Sequence, residues 1–390
     1  MTGPPVALQR TPLFDYHRRH GGHLVPFAGW EMPLYYSSIL AEHNAVRTSA
    51  GLFDVSHMGI LTVAGGRATD LLGRRTVTNA EKILPGQVRY SFLLEASGGI
   101  VDDLLISRID PGDEVARRFL VVPNAGRAAE VEEILRQHRA PDTTVHRWNA
   151  EVGLLALQGP RSRDLLESVF GWDLKDLRFY HLAFFPADAA AADRKGRLGL
   201  PFPAGLDRTI LVSRTGYTGE LGYELFVRHE AVDAIAERLL TAGAVPCGLG
   251  CRDTLRLEKG YLLSGQEFHR DHTPLEAAQD RFVELDHPFV GKEVLDQQHA
   301  AGPPVRLVGI EVDAPGAIPR HGTPVHWGEK FVTPATSGGL SPTLNHGIAL
   351  AYLPKEATAP GTSVALEIRG NSIPGRVVPL PFVKAASGRG

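Results

Sequence analysis

The sequence predicts an α+β protein of two or three domains that ends in an all-β module. Its 390 residues are too many for one hydrophobic core, since single domains usually hold about 100–200 residues. Helix-type and strand-type patterns alternate up to about residue 281. Short apolar strands between Gly and Pro turns then follow, as in a barrel or jelly roll, at 307–312, 322–327, 330–336, 346–352, 363–368 and 372–378.

The composition is that of an ordinary globular protein without a bulk attraction to polyanions. Hydrophobic residues make up 43% and charged residues 22% of the chain, and the net charge is −3. We therefore expect no nucleic-acid partner. No run of 18 apolar residues is present, and residues 1–10 lack the apolar segment of a signal peptide. We expect no membrane association and a cytoplasmic location.

The two cysteines do not form a recognisable metal-binding pattern. Cys247 and Cys251 lie in the run Cys-Gly-Leu-Gly-Cys, which lacks the two further ligands that a zinc site needs. We interpret them as buried thiols in a reducing compartment. The sequence therefore predicts no metal.

The chain before residue 282 alternates helices and strands. Apolar residues at helical spacing predict helices, and continuous or alternating apolar runs predict strands. The Gly98-Gly99 pair joins two of these strands as a hairpin. The predicted helices span 13–19, 37–49, 66–74, 125–138, 162–169 and 230–240, and the predicted strands span 53–63, 89–94, 100–109, 118–122, 152–158, 210–214 and 223–227.

Two adjacent carboxylates, Asp102 and Asp103, lie within the apolar strand after this hairpin. Aspartate is a poor strand former and is costly to bury without a partner. Because successive strand side chains point to opposite faces, Asp103 shares a face with Leu105, and Asp102 shares the other with Leu104. One carboxylate can thus face a ligand cavity as a proton acceptor. The structural alternative is a pair that caps backbone N–H groups.

Three further polar residues stand where either structure or ligand binding could require them. Asn124 follows a predicted strand and either caps the next helix or faces a ligand. Glu224 lies in an apolar strand, as a salt-bridged carboxylate or as an acceptor in a pocket. Arg252 stands at the start of a helix that a glycine opens and Gly260 closes, where the helix dipole disfavours a cation. It either pairs with a neighbouring glutamate or holds a ligand carboxylate.

Motifs of several common enzyme classes are absent. The chain has no Gly-x-Gly-x-x-Gly, no phosphate-binding P-loop, no Gly-x-Ser-x-Gly and no His-Glu-x-x-His. This argues against nucleotide-dependent, serine-hydrolase and zinc-peptidase chemistry. The remaining polar groups suit an organic substrate with amines, an aromatic body and a carboxylate tail.

A set of short segments carries a further signal through its order and spacing. The segments are 29–34 (Gly-Trp-Glu-Met-Pro-Leu), 42–47 (Glu-His-Asn-Ala-Val-Arg), 51–58 (Gly-Leu-Phe-Asp-Val-Ser-His-Met), 98–104, 216–220 (Gly-Tyr-Thr-Gly-Glu), 252–258 (Arg-Asp-Thr-Leu-Arg-Leu-Glu) and 337–344 (Ser-Gly-Gly-Leu-Ser-Pro-Thr-Leu). Together they resemble the glycine cleavage system T-protein family over nearly the whole chain.

This resemblance implies a three-domain cloverleaf fold with tetrahydrofolate in a central cavity. The first folate-binding domain is expected to be discontinuous, 1–52 and 150–207. It wraps around a ferredoxin-like second domain, 53–149 and 208–281. A C-terminal β-barrel domain, 282–390, follows.

The resemblance also implies an aminomethyltransferase that uses tetrahydrofolate as co-substrate. The donor is an aminomethyl group held as a thioether on the dihydrolipoyl arm of the carrier H-protein. The products are 5,10-methylenetetrahydrofolate, ammonia and the dithiol carrier. Asp103 matches the family's catalytic carboxylate. The folate-binding residues carried over by position are Tyr90, Asn124, Tyr217, Glu224, Arg252 and Tyr261.

The chain departs from the family pattern at two positions. Ser107 stands where the family has an aromatic residue, and Lys384 at best replaces a C-terminal arginine, without the bidentate fork of arginine.

Two alternatives with the same fold stay open. One is a folate-dependent demethylase of a small free substrate. The other is a folate-binding factor in iron–sulfur maintenance and RNA modification, which carries Lys-Gly-Cys-Tyr-x-Gly-Gln-Glu. Residues 259–267 here are one residue longer and lack that cysteine.

Overall fold

The computed structural model describes residues 7–112, 117–188, 190 and 194–384. No helix in these ranges has the length and hydropathy that a membrane crossing requires. The α-helices of the described ranges are Phe14–Arg19, Ile39–Thr48, Ala68–Arg75, Ala128–His138, Ser162–Phe170, Val232–Thr241, Leu249–Glu258 and Lys292–Ala301. Short 3-10 helices lie at Ala80–Lys82, Ala204–Asp207, His229–Ala231, Asp280–Phe282 and Lys355–Ala357, and a hairpin pairs His23–Phe27 with Trp30–Tyr35.

A six-stranded sheet is built around strand Val152–Gln158, whose residues are all buried. Its sequence Val-Gly-Leu-Leu-Ala-Leu-Gln has no polar alternation, because apolar cores cover both faces of this sheet. Neighbouring strands are antiparallel except for one edge pair, Gly51–Asp54 with Val245–Cys247. The order from edge to edge is Leu182–Pro186, Thr209–Ser213, Gly222–Arg228, Val152–Gln158, Gly51–Asp54 and Val245–Cys247.

A five-stranded antiparallel sheet carries the two aspartates on strand Ile100–Arg108. Four of its strands have the order of a ferredoxin-like β-α-β-β-α-β unit, and Val88–Leu94 pairs beside them as an extra edge strand. Helices Ala68–Arg75 and Ala128–His138 pack their apolar sides on one face. The order is Val88–Leu94, Ile100–Arg108, Arg117–Pro123, Leu61–Gly65 and Thr143–Arg147.

The C-terminal part is a seven-stranded antiparallel sheet, as the short strands and their Gly and Pro turns predict. Its neighbouring strands Val305–Val312 and His346–Pro354 are largely buried. The order is Lys330–Pro334, Pro324–Trp327, Ser363–Ile368, Asn371–Val378, Val305–Val312, His346–Pro354 and Ser337–Ser341.

Some elements differ from the expectations drawn from the sequence. The strand predicted over 53–63 is two strands of different sheets, Gly51–Asp54 and Leu61–Gly65, because a turn closes where the Met58 N–H donates to the Val55 carbonyl. Apolar periodicity continues through that turn and does not reveal it. Elements that the patterns did not predict are His23–Phe27, Trp30–Tyr35, Thr143–Arg147, Leu182–Pro186, Val245–Cys247, Ser337–Ser341 and helix Lys292–Ala301.

Strand pairing divides the chain differently from the expected second domain. The expectation puts 208–281 with the ferredoxin-like sheet, but strands Thr209–Ser213 and Gly222–Arg228 belong to the six-stranded sheet. The reason is that Gly222–Arg228 pairs with Val152–Gln158 along its whole length. We therefore propose that these strands belong to the first domain and that the five-stranded sheet forms the second domain alone. The C-terminal boundary at 282 stays a prediction.

A buried group of charges, here named the Glu258 cluster, joins the C-terminal sheet to the rest of the molecule. Glu258 ends helix Leu249–Glu258 and accepts hydrogen bonds from Arg47 Nη2 and Ser341 Oγ, both at 2.6 Å. The Thr343 backbone and hydroxyl also donate to it at 2.9 Å. His43 Nε2 lies 3.4 Å from the same carboxylate. This cluster fixes the helix that carries Arg252 against the C-terminal sheet.

Candidate functional site

A cavity of about 1390 Å³ lies where the three sheets meet. Leu154 comes from the six-stranded sheet, Leu105 from the five-stranded sheet and Val308 from the C-terminal sheet. The wall combines apolar side chains with a few polar groups, which is the usual composition of a ligand site. The seven residues predicted from the sequence all line this cavity: Tyr90, Asp103, Asn124, Tyr217, Glu224, Arg252 and Tyr261.

The two adjacent aspartates point to opposite faces of strand Ile100–Arg108. Asp102 is fully buried, on the face that puts Leu104 and Ile106 into the core of the five-stranded sheet. Asp103 is half-buried and lines the cavity. The alternation of the strand therefore separates a core carboxylate from a cavity carboxylate, as predicted.

Asn124 ties the two carboxylates together. Its backbone N–H donates to Asp102 Oδ2 at 2.9 Å, and its Nδ2 donates to Asp102 Oδ1 at 2.8 Å. The same Nδ2 also donates to Asp103 Oδ1 and, at 3.0 Å, to the Asp103 carbonyl oxygen. Asn124 is not the helix cap, because the next helix begins at Ala128 after Arg127. The capping interpretation of Asn124 is wrong. Asp102, in contrast, does accept a backbone N–H.

Burial raises the pKa of both carboxyl groups. For Asp103, the loss of solvation outweighs the donors of Tyr90 and Asn124, and the pKa rises to about 6. For Asp102, burial and then the nearby charge of Asp103 raise the pKa well above its usual range. A carboxyl group with a pKa near neutrality can both take up and release a proton, which general acid–base chemistry requires.

Tyr90 holds Asp103 from the neighbouring strand. Strands Val88–Leu94 and Ile100–Arg108 pair, and the Tyr90 hydroxyl donates to Asp103 Oδ2 at 2.5 Å. The rings of Phe92 and Phe282 pack edge-on against the Tyr90 ring, with centroid distances of 5.1 and 4.8 Å. Burial and then the charge of Asp103 raise the pKa of Tyr90, so its hydroxyl stays protonated.

Glu224 is the second carboxylate of the cavity. It lies on strand Gly222–Arg228, and the Thr215 hydroxyl donates to its Oε2 at 2.5 Å. Glu224 forms no ion pair with a described residue, so the salt-bridge interpretation is not supported. Burial raises its pKa. The arrangement leaves Glu224 as a hydrogen-bond acceptor toward the cavity.

Arg252 brings an unpaired donor to the same part of the wall. It stands in the first turn of helix Leu249–Glu258, which begins after Gly248. Its guanidinium lies 4.8 Å from the centroid of the Tyr217 ring, in a cation–π contact. Nη1 is buried and has no hydrogen-bond partner among the described residues, and burial lowers the pKa of the group. Buried donors are rarely left unpaired, so Arg252 Nη1 points to a ligand acceptor.

Tyr217 and Tyr261 add two aromatic rings to the cavity wall. Their centroids lie 5.8 Å apart with an interplanar angle of 32°. The Tyr217 hydroxyl donates to the Leu262 carbonyl, and burial raises its pKa. Such a wall suits the flat body of an aromatic ligand.

Three residues of the site were not predicted from the sequence. Thr215 holds Glu224, Phe282 packs on Tyr90, and His57, only 3% exposed, lines the cavity. Thr215 and His57 lie beside or within the family segments 216–220 and 51–58, and that position is the signal that could have found them. Phe282 carries no such signal.

The two departures from the family pattern lie outside the cavity wall. Ser107 is buried opposite Val88 in the sheet. Lys384 is exposed at the end of the described chain and does not line the cavity. A role of Lys384 in place of the family arginine stays a prediction.

The cysteines approach one carboxylate. Ligand atoms of Glu42, Cys247 and Cys251 lie within 4.8 Å of one another, and all three residues are buried. The Glu42 carboxylate, however, already accepts the backbone N–H groups of Tyr36, Ser37 and Gly248. We interpret Glu42 as the residue that fixes these turns, and the absence of a metal stays a prediction.

Comparison with protein families gives the family of the chain. Residues 13–193 and 204–287 match the GCVT N-terminal domain, and residues 306–384 match the Glycine cleavage T-protein C-terminal barrel domain. The chain belongs to the glycine cleavage T-protein family. The resemblance drawn from the sequence segments is thereby confirmed.

Similar proteins cover nearly the whole chain. An aminomethyltransferase from Geobacillus thermodenitrificans (strain NG80-2) is 43% identical over 385 residues, 97% of this chain and 99% of that protein. One from Symbiobacterium thermophilum is 41% identical over 391 residues, 97% and 98% of the two chains. The crystal structure of glycine cleavage system aminomethyltransferase T from Bartonella henselae has a TM-score of 0.85 at 32% identity, over 97% of this chain and 99% of the other. This T-protein likeness confirms the predicted fold class.

Proposed function

We propose that this chain is the aminomethyltransferase of a glycine cleavage system. It transfers the one-carbon unit of an S-aminomethyl-dihydrolipoyl carrier protein to tetrahydrofolate. The products are 5,10-methylenetetrahydrofolate, ammonia and the dihydrolipoyl carrier. The observation that carries the proposal is a cavity of a T-protein chain in which Asp103, with a pKa near neutrality, faces an aromatic and hydrogen-bonding wall.

The cavity has the groups that a reduced folate requires. Glu224 is placed to accept the N–H groups of the pterin ring, and Tyr217 and Tyr261 offer rings to its aromatic body. The wall also carries more cations than anions although the whole chain is negative. Arg127 pairs with Glu130 and Arg256 with Glu267, so the remaining part of this excess is what suits the carboxylate tail of folate. The cations are Arg127, Arg252, Arg256, Lys259, Arg281 and Arg320, and the anions are Asp103, Glu224 and Asp253.

The transfer needs a group that takes up a proton and returns it, because the whole reaction neither consumes nor releases protons. The C–N and C–S bonds of the aminomethyl thioether break, and the carbon forms bonds to N5 and N10 of the folate. The protons lost from N5 and N10 balance those gained by ammonia and by the carrier thiol. Asp103 suits this exchange because its pKa of about 6 lets it take a proton and return it. Tyr90 and Asn124 hold its two oxygens as donors.

The partner of the reaction is part of the proposal. The T-protein family works within the glycine cleavage system. We infer that the lipoyl H-protein delivers the aminomethyl group to the cavity. The cytoplasmic location and the absence of a nucleic-acid partner stay predictions.

The test is an assay of ammonia and 5,10-methylenetetrahydrofolate released from aminomethyl-loaded lipoyl carrier, with and without tetrahydrofolate. Strong folate-dependent release supports the proposal. Tetrahydrofolate binding without carrier-dependent release contradicts it. That second result would direct attention to the demethylase or to the iron–sulfur and RNA-modification factor, which the family comparisons do not favour.

A further inference from the structure

The hydrogen bond from Tyr90 to Asp103 crosses between strands on a diagonal. Strand Val88–Leu94 is an edge strand of the five-stranded sheet, and its neighbour in that sheet is the strand of Asp103. Leu105 lies directly opposite Tyr90, and Phe92 lies directly opposite Asp103. The Tyr90 ring must therefore lean along the strands to bring its hydroxyl to Asp103 Oδ2 at 2.5 Å. Because the strand is at the edge, packing from outside the sheet has to support this position.

Phe282 supplies packing of this kind. Its ring lies edge-on against the Tyr90 ring, with the centroids 4.8 Å apart and an interplanar angle of 73°. Aromatic pairs in this geometry contribute more than their buried area alone. The guanidinium of Arg281 lies 4.6 Å from the centroid of the Phe282 ring, in a cation–π contact. Both residues belong to the 3-10 helix Asp280–Phe282, so a segment far later in the chain supports Tyr90.

This 3-10 helix is tied to the molecule on two sides. At its start, Asp280 accepts two hydrogen bonds from Arg306 of the C-terminal sheet, Nη1 to Oδ1 at 3.1 Å and Nη2 to Oδ2 at 2.7 Å. Two parallel bonds of this kind fix orientation as well as distance. After its end, Glu284 Oε2 accepts the backbone N–H of Asn79, which precedes the edge strand, at 2.9 Å. Phe282 is thus fixed between the C-terminal sheet and the five-stranded sheet.

We propose that Phe282 is a positioning residue, which holds the Tyr90 hydroxyl on Asp103. The Arg306–Asp280 pair in turn fixes Phe282 to the C-terminal sheet. This inference rests on the proposed function. Without the Phe282 ring, Tyr90 turns away for part of the time and donates less to the carboxylate. A carboxylate that loses a donor is less stable in its charged form, so it takes up its proton at a higher pH.

The test measures the pH dependence of kcat/KM for ammonia release, whose acid limb reports the pKa of Asp103 in the free enzyme. Phe282→Leu is expected to move this limb up by about half a pH unit, since the donor is weakened and not removed. Phe282→Tyr, which keeps the ring, is expected to keep the wild-type limb. A ¹³C NMR titration of the Asp103 carboxyl carbon, assigned by its absence in Asp103→Asn, follows the same group without turnover.

A double-mutant cycle separates this role from a direct contact between Phe282 and the ligand. In Tyr90→Phe the donor is already absent. Adding Phe282→Leu is therefore expected to leave the acid limb where Tyr90→Phe puts it. A direct contact would instead raise the KM for tetrahydrofolate equally in both backgrounds and leave the limb in place.

Phe289→Leu is the matched control for removal of a ring. Phe289 belongs to the same apolar cluster as Tyr90 and Phe282, but its ring packs on His287. We expect the acid limb of this variant to be that of wild type.

Asp280→Asn tests the tie to the C-terminal sheet, because it removes the ion pair with Arg306. It is expected to move the limb up, by less than Phe282→Leu does. Its matched control is Asp296→Asn, which removes a similarly exposed ion pair with Lys292 and is expected to leave the limb in place.

Some results would overturn the inference. They are an unmoved limb and titration in Phe282→Leu, or equal shifts in the wild-type and Tyr90→Phe backgrounds. If the leucine variant does not fold, equal titrations of Asp280→Asn and Asp296→Asn overturn it. The proposed function fails separately, when wild type binds tetrahydrofolate yet shows no carrier-dependent release, and the NMR titration then still tests the role of Phe282.

Discussion

Two buried groups of charged and polar side chains in this molecule have opposite properties. Both contain a carboxylate that several donors contact, and both lie between elements distant in sequence. The Glu258 cluster consists of Glu258, Arg47, His43, Ser341 and Thr343. The carboxylate end of the cavity consists of Asp103, Asp102, Tyr90 and Asn124.

The Glu258 cluster is closed, and a cation, Arg47, reaches its carboxylate. Glu258 is fully buried, and Arg47 and Ser341 each donate to it at 2.6 Å. Burial alone would raise its pKa, but the donors, His43 and Ser341 foremost, outweigh burial and lower the pKa to about 2. This carboxylate therefore stays charged, and its contribution is to stability.

The carboxylate end of the cavity faces the space for a ligand, and neutral donors hold its Asp103 carboxylate. Asp103 has two neutral donors and forms no ion pair with a cation in the part of the chain that the structure describes, and burial raises its pKa to about 6. The difference shows how burial can serve two purposes. In the Glu258 cluster, a cation and several hydroxyls hold the carboxylate in its charged form, and the cluster joins parts of the chain. At Asp103 only neutral donors reach the carboxylate, so it can still take up and release a proton near neutral pH.

The largest expected effect is that of Asp103→Asn on turnover. An amide cannot take a proton at neutral pH, so we expect the folate-dependent release of ammonia to fall by at least about 100-fold. The melting temperature is expected to change little, since asparagine is isosteric and half-buried here. Full activity of this variant would remove the distinction between the two buried groups.

Glu258→Gln is expected to give the reverse pattern, a loss of stability with activity per folded molecule retained. The pKa of Glu258 is about 2 in the folded protein against an ordinary value of 4.5, so its contribution is present above pH 4.5 and is lost as pH falls toward 2. We expect the free energy of unfolding at pH 7 to fall by about 3 kcal/mol. Denaturant unfolding at pH 7 and acid unfolding between pH 5 and 2 measure this.

The exposed Glu230→Gln is the control for that measurement, because its side chain is 76% exposed. Surface substitutions of this kind usually change stability by less than about 0.5 kcal/mol. A Glu258→Gln protein as stable as this control would contradict the role given to the cluster.

The Tyr90→Phe variant tests the carboxylate end of the cavity through the pH dependence of kcat/KM. The wild-type kcat/KM is expected to fall as pH drops below about 6, because protonation of Asp103 removes the proton acceptor. Loss of the Tyr90 donor disfavours the charged carboxylate, so the pKa of Asp103 rises and the acid limb moves up by about one pH unit. Tyr16→Phe is the control, since the buried Tyr16 hydroxyl has no described hydrogen-bond partner. A limb that stays in place or moves down would contradict this reasoning.

Local rules predicted the parts of the site that depend on one strand. Period-2 alternation sufficed to separate Asp103 from Asp102, because the side chains of a strand take opposite faces whatever surrounds it. The family segments then brought residues as distant as Tyr90 and Tyr261 to one cavity. The C-terminal sheet followed from short strands and turns.

Features that depend on distant contacts could not be predicted in this way. Asn124 stands where a helix cap would, yet its amide is held by carboxylates 21 and 22 residues earlier. The pairing of Gly222–Arg228 with Val152–Gln158 joins strands that are more than 60 residues apart in the chain, and the sequence pattern of either strand alone does not reveal its neighbour. His57 lies within the family segment 51–58, but the segment alone does not show that this residue lines the cavity.

The smallest expected effect is that of Asp102→Asn. This variant tests whether the face of the strand to which an aspartate points decides its role in the reaction. Asp102 lies in the core and does not face the cavity; it accepts hydrogen bonds from the backbone and side-chain N–H groups of Asn124, and its charge also acts on Asp103. Asparagine keeps one acceptor oxygen, so Asn124 loses one of these bonds, and we expect activity to fall by less than about tenfold. The same release assay and a melting curve measure this. Losses equal to those of Asp103→Asn, at an unchanged melting temperature, would mean that both carboxylates act on the reacting atoms, which the opposite faces of the strand do not allow.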